Sequence, residues 1–251
     1  TPDNSYGISG VGHNSKLLPI RIDDEEGVLT KAWEGLIYAA DHGAKIINCS
    51  WGSTFSNGQF GQDIVNYATY NKGALIVAAA GNSNDERMFY PAAFKNVLCV
   101  AATKSNDYKW ENSSYYWRVD VSAPGHDIYS TWPNGQFISS GGTSMATPMV
   151  SGAAAIVWTY YPEMLPQQII HIIKNTTDNI YNISNNAKYR DKLGTGRINM
   201  FRALTDDFKP GISNEELFIT DKDDDVFIIN DTLYISGIFR NYLTPTNQLS
   251  I

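Results

Sequence analysis

The chain has 251 residues, with 19 basic and 26 acidic side chains and a formal net charge of -7 at pH 7. A chain of this length can bury a core large enough for an enzyme. Its charges form no basic stripe, so nucleic acid is not an expected partner, and it has no apolar run of about eighteen residues, which excludes a membrane span.

Short apolar runs alternate with helix-like segments from Leu17 onward, which predicts an α/β fold with a parallel sheet flanked by helices. The runs predicted as strands are LLPIRI, AKIINCS, ALIVAAA, NVLCVAA and VDVSAP, and helices are predicted at LTKAWEGLIYAADHG and QDIVNYATYNKG. Cys49 and Cys99 both lie inside strand runs. We expect them to be small buried side chains rather than a disulfide framework.

The second half of the chain predicts three more helices and then a change of composition. MVSGAAAIVWTYYP is apolar or small nearly all round, as in a buried helix, and amphipathic LPQQIIHIIKNTT and LGTGRINMFRAL follow it. Beyond the linker DDFKPGISNEE, the runs ELFITD, DVFIIND and TLYISGIFRNYL are typical of β-strands. The predicted domains are residues 1–205, and residues 206–251 as a linker and the beginning of a β-rich, sandwich-like domain.

The stretch GGTSMATPMVSG sets Ser144 at the start of the predicted buried helix. Taken alone, a serine there is most often a helix N-cap. The free N–H groups and the positive dipole end of the same helix would also stabilise an attacking alkoxide or an oxyanion. Pro148 is expected near the first turn, where its missing N–H costs little. We therefore expect Ser144 both to cap the helix and to act as a nucleophile.

GTSMATPMVSG resembles the serine motif of subtilisin-like serine proteases, G-T-S-M-A-x-P-x-V-x-G. VAAAGN is similar to the oxyanion stretch of that family, and INCSWGS to its substrate-edge strand. YPAAFKNVLCVAAT, VDVSAPGHDIYST and LGTGRINMFRAL follow in the family's order, so the resemblance runs from about residue 3 to residue 204. The resemblance implies a subtilisin-like fold and serine endopeptidase activity on a peptide or protein substrate.

The resemblance also assigns residues to roles. It implies Ser144 as the nucleophile, with the Asn82 side chain and the Ser144 N–H as oxyanion donors, a role that suits an amide after a glycine. The walls that would bind an extended substrate by main-chain hydrogen bonds are Ser50, Trp51 and Gly52 on one side and Ala79, Ala80 and Gly81 on the other. Phe89 falls at the floor of the primary pocket, where its ring predicts a preference for small or medium apolar side chains.

The general base and its carboxylate are missing from the chain. The family supplies them from D-[ST]-G and H-G-T-H-x-x-G motifs, and neither occurs in this sequence. None of the four histidines, His13, His42, His126 and His171, is expected within reach of Ser144, so we assign no base. We therefore expect an N-terminal segment outside this chain to carry the Asp and His, and the chain alone to be nearly inert.

Two other interpretations compete with an incomplete protease. The chain could be a catalytically incomplete peptide-binding module of the same family. A generic α/β-hydrolase domain is disfavoured because its G-x-S-x-G elbow is incomplete, with Ala146 where the second glycine belongs.

Hydrolysis by a serine requires no cofactor, and the sequence assigns no metal ligand. The family often binds calcium in a loop resembling DNSYGISG, where Asn4 would give a side-chain oxygen. One such oxygen leaves a structural calcium site and a polar turn both open. The resemblance further implies a secreted protein or one held at the cell envelope.

Overall fold

The computed structural model describes residues 7–220 and 234–244. The chain divides into two units, Thr1–Asp206 and Asp207–Ile251, each with its own internal contacts. The first unit contains the sheet, the helices and every predicted site residue from Ser50 onward.

A four-stranded parallel sheet forms the centre of the first unit, with the strands in chain order from one edge to the other. Its strands are β1 (Ile46–Cys49), β2 (Leu75–Ala79), β3 (Val97–Thr103) and β4 (Val121–Pro124). All residues of β2 and β3 are buried, as near-continuous apolar runs predict for strands covered on both faces. Four of the five predicted strands are thus confirmed.

The prediction of a strand at LLPIRI is wrong. The segment has no ladder partner among the described residues, and Leu17 is 90% exposed. Pro19 removes one backbone donor, and the Ile22 carbonyl accepts the N–H groups of Thr30 and Lys31 instead of a neighbouring strand. Consequently β1 is an edge strand, with β2 as its one partner in the described part of the sheet.

The described part of the chain contains five α-helices. They are α1 (Ala32–Asp41), α2 (Gly58–Asn66), α3 (Thr143–Tyr160), α4 (Pro166–Asn175) and α5 (Met200–Thr205); α2 continues into a π-helical turn at Tyr67–Asn71, and a 3-10 segment spans Ser184–Tyr189. As its small residues predict, α3 is largely buried, and it contacts all four strands. The predicted helices are confirmed.

An antiparallel hairpin that the sequence patterns did not predict leads into α3. It consists of β5 (Ile128–Trp132) and β6 (Gln136–Ser140), joined by a turn in which Asn134 has a φ of 62°. The Pro-Asn-Gly sequence of that turn is a hairpin signal between two extended runs. β6 ends directly before the GGTS stretch, so it fixes where α3 begins.

The second unit contains an antiparallel pair, β7 (Ile212–Thr220) and β8 (Tyr234–Asn241). β7 begins inside the segment predicted as a linker, and the whole of the predicted strand DVFIIND lies outside the described residues. A sandwich-like domain therefore remains a prediction. Across residues 7–220 and 234–244, no helix combines the length and apolarity needed to cross a bilayer.

Candidate active site

The carboxyl ends of β1 and β2 meet the amino end of α3 in one cleft. Ser50 follows the last residue of β1, Asn82 lies three residues after the end of β2, and Ser144 is the second residue of α3. Since Cys49 pairs with Ala78 in the parallel register, both strands deliver their following residues to the same edge of the sheet. Three separate segments therefore converge on one site.

The expectation that Ser144 caps its own helix is wrong. The N-cap residue is Gly142, and the Ser144 hydroxyl donates to the Ser50 carbonyl at 3.0 Å. The capping oxygen comes from another element, because Asn82 Oδ1 accepts the Thr143 N–H at 2.9 Å. The Ser144 side chain is thus left free of the capping role.

Two further hydrogen bonds fix the orientation of the Asn82 amide. The Thr143 hydroxyl donates to Asn82 Oδ1 at 2.9 Å and accepts the Gly81 N–H at 3.2 Å. An amide oxygen can only accept and an amide nitrogen can only donate. Because Oδ1 faces the two Thr143 donors, Nδ2 is turned to the other side and remains available for a ligand.

Asn82 Nδ2 and the Ser144 N–H border the same small space beside Gly142. A methyl group built on Gly142 would lie 3.6 Å from Asn82 Nδ2 and 3.5 Å from Ser144 N. The Ser144 N–H belongs to the first turn of α3, where no acceptor exists within the helix. Two converging donors at a positive helix end can stabilise an oxygen that gains negative charge.

Pro148 explains why Ser50 approaches α3 so closely. In a regular helix the N–H of residue 148 would donate to the carbonyl of Ser144, and proline has no N–H to give. The Ser50 hydroxyl supplies the missing donor, at 2.9 Å from the Ser144 carbonyl oxygen. Ser50 and Ser144 are therefore joined by a reciprocal pair of hydrogen bonds between β1 and α3. Pro148 is the sixth residue of α3, in the turn that follows the first one, near which it was expected.

One wall of the cleft offers unpaired main-chain groups. Trp51 and Gly52 lie outside the strands, and their backbone N–H and carbonyl groups make no hydrogen bond within the described residues. The next residue, Ser53, is paired again: its N–H donates to the Tyr90 carbonyl, and its carbonyl accepts the Tyr90 N–H. The half-buried Trp51 ring packs edge-on against Trp33, with 5.8 Å between ring centroids. An extended peptide could add to the free groups by main-chain hydrogen bonds.

The opposite wall is rigid and buried. Ala79 ends β2, the Ala80 N–H donates to the Val100 carbonyl at 3.0 Å, and all three residues from Ala79 to Gly81 are buried. Gly81 has a φ of 102°, in the left-handed region that favours glycine.

The Phe89 ring fills the gap between the two walls. A methyl group on Gly52 would lie 2.6 Å from a carbon of that ring, and one on Gly81 would lie 3.1 Å from another. Both glycines are therefore needed for the ring to fit between the two walls.

No described histidine bonds to Ser144. The Ser144 hydroxyl makes its hydrogen bond to Ser50, while His13 and His42 are exposed at the surface. His171 is buried in α4, and burial lowers its pKa to about 4.

His126 lies close to Gly141, three residues before Ser144. Its Cδ2 would be 3.8 Å from a methyl group on Gly141, and its Nδ1 lies 3.1 Å from an Asp127 carboxylate oxygen. It makes no hydrogen bond to Ser144, so it does not act as the base in this arrangement.

The sequence patterns did not single out Thr143 or Asn48. Asn48 Nδ2 donates to the Ser50 hydroxyl at 2.9 Å, and its Oδ1 accepts the Ser151 hydroxyl at 2.9 Å. Asn48 interrupts the apolar run KIINCS, and a polar residue inside such a run is the signal that could have identified it. Thr143 carries no comparable signal, because a threonine before a helical serine is equally common in ordinary caps.

No group of three or more His, Cys, Asp or Glu side chains suited to a metal ion occurs in residues 7–220 and 234–244. Asn4, the residue named for a calcium site, lies outside the described residues.

A family model described as the subtilase family matches residues 1–206. Thermitase from Thermoactinomyces vulgaris is 41% identical over 204 residues, which cover 80% of this chain and 70% of thermitase. A thermophilic serine proteinase from Bacillus sp. (strain AK1) is 38% identical over 205 residues, covering 81% of this chain and 49% of that proteinase. Among solved structures, a protease from Pseudoalteromonas arctica matches with a TM-score of 0.72 at 29% identity, over 80% of this chain and 66% of the other.

Proposed function

The chain belongs to the subtilase family of serine proteases and has the subtilisin-like fold, and from this premise we propose that it carries the serine half of an endopeptidase. The observation that carries the proposal is the convergence of Asn82 Nδ2 and the Ser144 N–H on the space beside Gly142. Donors arranged in this way stabilise a tetrahedral intermediate of acyl transfer.

In the proposed reaction, the Ser144 oxygen attacks the carbonyl carbon of the scissile peptide bond. A histidine from outside the chain takes the hydroxyl proton and later gives it to the leaving amine. The carbonyl oxygen becomes negative in the intermediate and accepts hydrogen bonds from Asn82 and from the Ser144 N–H. Water then hydrolyses the acyl group from Ser144, so no cofactor is consumed.

We propose that the Asp and His come from a polypeptide segment that this chain does not contain. Two features support a docking position for it beside the sheet. β1 is an edge strand in the described sheet, and Leu17 and Leu18 are 90% and 46% exposed. Unpaired strand edges and exposed leucines favour the addition of a further strand. Without a base, the chain alone is expected to be nearly inert.

For substrate choice, we propose a preference for small or medium apolar side chains before the cleaved bond. The position of the Phe89 ring between Gly52 and Gly81 supports it. Phe89→Gly is expected to raise kcat/KM for a substrate with Phe at that position relative to one with Ala, because it opens the pocket. Cleavage of a peptide library by the assembled enzyme measures this, and faster wild-type cleavage after Phe than after Ala or Leu would contradict it.

A catalytically incomplete peptide-binding module is the second candidate, favoured by one observation. The Ser144 hydroxyl donates to the Ser50 carbonyl, and no described histidine accepts its proton. A binder would still use the free backbone groups of Trp51 and Gly52.

Covalent labelling separates the two candidates. Intact mass and N-terminal sequencing of the protein from its native source would identify any co-purifying polypeptide with D-[ST]-G and H-G-T-H motifs. A fluorophosphonate is expected to label Ser144 in that assembly, but not in the 251-residue chain alone or in Ser144→Ala. Labelling needs an activated hydroxyl. An assembly that binds peptide but is not labelled would therefore exclude the endopeptidase and support the peptide-binding module.

We also propose that the protein acts outside the cell or at the cell envelope, as family membership suggests. Cell fractionation tests this, and recovery of the protein in the cytosolic fraction alone would contradict it.

A further inference from the structure

Residues 81–85, here called the oxyanion loop because they include Asn82, are held by residues 109–115, here called the clamp loop. Four hydrogen bonds through backbone groups join the two loops: Ser114 N to the Gly81 carbonyl at 2.9 Å, Ser83 N to Ser114 Oγ at 3.2 Å, Asn84 N to the Asn112 carbonyl at 3.0 Å and Tyr115 N to the Asp85 carbonyl at 3.0 Å. The position of Asn82 therefore depends on the clamp loop as well as on Thr143.

Lys109 adds a fifth connection, through its side chain. Its ammonium group donates to Asn84 Oδ1 at 2.8 Å and to the carbonyls of Trp110 and Glu111, each at 3.0 Å. An ammonium has three protons, and all three are used. One of them ties the clamp loop to the residue two positions after Asn82.

The surroundings of Lys109 are unusual for a lysine. The residue is 6% exposed, and no carboxylate pairs with it in the described part of the chain. Instead, the Tyr115 and Tyr189 rings each lie 5.0 Å from its nitrogen, which stabilises the charge through their π faces. A lysine is rarely buried without an ion partner. The burial of Lys109 against Asn84 therefore suggests that this hydrogen bond has a role of its own.

We propose that Lys109 is a positioning residue for the oxyanion hole, holding the oxyanion loop in place through Asn84. The proposal rests on the proposed protease function. Small displacements of an oxyanion donor are costly, since the donor must meet the oxygen of the intermediate and not that of the substrate. Lys109 touches neither substrate nor reacting atoms, so its effect passes through Asn84 and the loop.

The charge on Lys109 is needed for all three hydrogen bonds. The pKa of Lys109 is lowered to about 8, mainly by burial; the Glu111 carboxylate, which pairs with Lys104, acts to raise it, and Lys188 acts to lower it. The other titratable groups around it are the phenols of Tyr108, Tyr115 and Tyr189. A neutral amine has two protons for three acceptors, so above pH 8 the hold on the oxyanion loop weakens.

The first test uses hydrogen exchange in the 251-residue chain, which needs no catalysis. Lys109→Met is expected to raise the exchange rates of the Ser83, Asn84 and Tyr115 amides, which bond across the two loops, roughly tenfold or more, the range for losing a hydrogen bond to a charged group. Lys188→Met is the matched control. Lys188 and Lys109 line the same surface cavity, and Lys188 makes no hydrogen bond to the oxyanion loop within the described residues. Equal exchange in the two variants would overturn the proposal.

A second variant tests the same hydrogen bond from the acceptor side, in case Lys109→Met does not fold. Asn84→Gly removes the acceptor and leaves Lys109 intact, and glycine suits the φ of 52° at this position. The amides of Ser83 and Tyr115 are again expected to exchange faster, and wild-type rates would overturn the proposal.

The third test uses the assembled enzyme and its pH profile. We expect wild-type kcat to fall above pH 8, with KM nearly unchanged. Lys109→Arg should abolish that fall, because a guanidinium stays charged. An unchanged alkaline limb in Lys109→Arg would overturn the proposal. If the assembly shows no labelling of Ser144, the protease function fails, while the exchange measurements still decide whether Lys109 holds the loop.

Discussion

Asn82 joins two elements through opposite ends of one amide group. Its oxygen caps α3 by accepting the Thr143 N–H and hydroxyl, and its nitrogen faces the space beside Gly142. The hydrogen bonds of the cap therefore set the direction of Nδ2, the proposed oxyanion donor. Without them the Asn82 amide could rotate, whereas the two Thr143 donors hold it in one orientation.

Thr143→Val is expected to lower kcat of the assembled enzyme roughly five- to tenfold, with KM nearly unchanged. The variant removes one of the two donors that orient Asn82 and leaves the Gly81 N–H without an acceptor, a loss of about 1 kcal/mol or more. Thr143→Ser, which keeps the hydroxyl, is the control and should retain most activity. A rise in KM at constant kcat would show that Thr143 acts on substrate binding instead.

The bond between Ser50 and the Ser144 carbonyl gives a prediction about stability. Ser50→Ala should lower the free energy of unfolding by about 1 kcal/mol, because the Ser144 carbonyl loses its one donor. Pro148→Ala restores a helical N–H to that carbonyl, so the double variant should recover much of the loss.

Urea unfolding of the two single variants and the double variant measures this coupling. Strictly additive effects would contradict the compensation between Ser50 and Pro148.

At this scale the sequence predicted part of the site. Ser144 and Asn82 were identifiable because each lies in a run that matches a family motif, and Phe89 because it directly precedes such a run. Thr143 lies in the same run as Ser144, but its role and that of Lys109 could not be predicted, since they depend on contacts with segments 61 and 25 positions away in the chain. No local pattern records such contacts.

Helix α3 depends on close backbone approach along its length. A methyl group on Gly152 would lie 2.8 Å from the Val11 side chain and 2.9 Å from the Gly12 nitrogen. The small residues at the middle of α3 thus bring the helix against residues 11–12 as well as against the sheet.

Gly152→Ala is expected to reduce the free energy of unfolding by about 1 to 3 kcal/mol, the usual cost of overpacking. Gly141→Ala is the control, because a methyl there meets its neighbours at 3.5 Å or more, an ordinary contact. Chemical denaturation measures both. A neutral Gly152→Ala would mean that residues 11–12 move aside without cost.

Strands that are buried on both faces were predictable from the sequence, and exposed or unpaired segments were not. β2 and β3 could be recognised because continuous apolar runs are typical of strands covered on both faces. LLPIRI has a similar composition and forms no strand, since a strand requires a neighbour and the described residues offer none. The β5–β6 hairpin was missed because most of its side chains are exposed, which leaves little apolar pattern.

The stability of the whole molecule is expected to depend on pH through His171. Burial lowers its pKa to about 4 in the folded chain, with Lys174 acting in the same direction and Asp120 against it. The unfolded chain binds that proton near the ordinary pKa of about 6.5. Between pH 6.5 and 4 the unfolded state therefore holds more protons, and stability falls as the pH falls.

His171→Gln should reduce this acid loss by at most about 1.4 kcal/mol per pH unit. His13→Gln is the matched control, because His13 is exposed. Urea unfolding at pH 6.5 and pH 4.5 compares the two variants with the wild type. An unchanged pH slope in His171→Gln would assign the acid sensitivity to other groups.

The Phe89 ring links selectivity to the architecture of the cleft. The side chain proposed to limit substrate size also packs closely against both glycines, so replacing it with a smaller one would remove packing contacts from both walls of the cleft. Adaptation toward bulkier cleavage sites would thus carry a trade-off in rigidity. A variant with a smaller residue at position 89 and a wider substrate range would therefore need stabilising substitutions near Gly52 and Gly81.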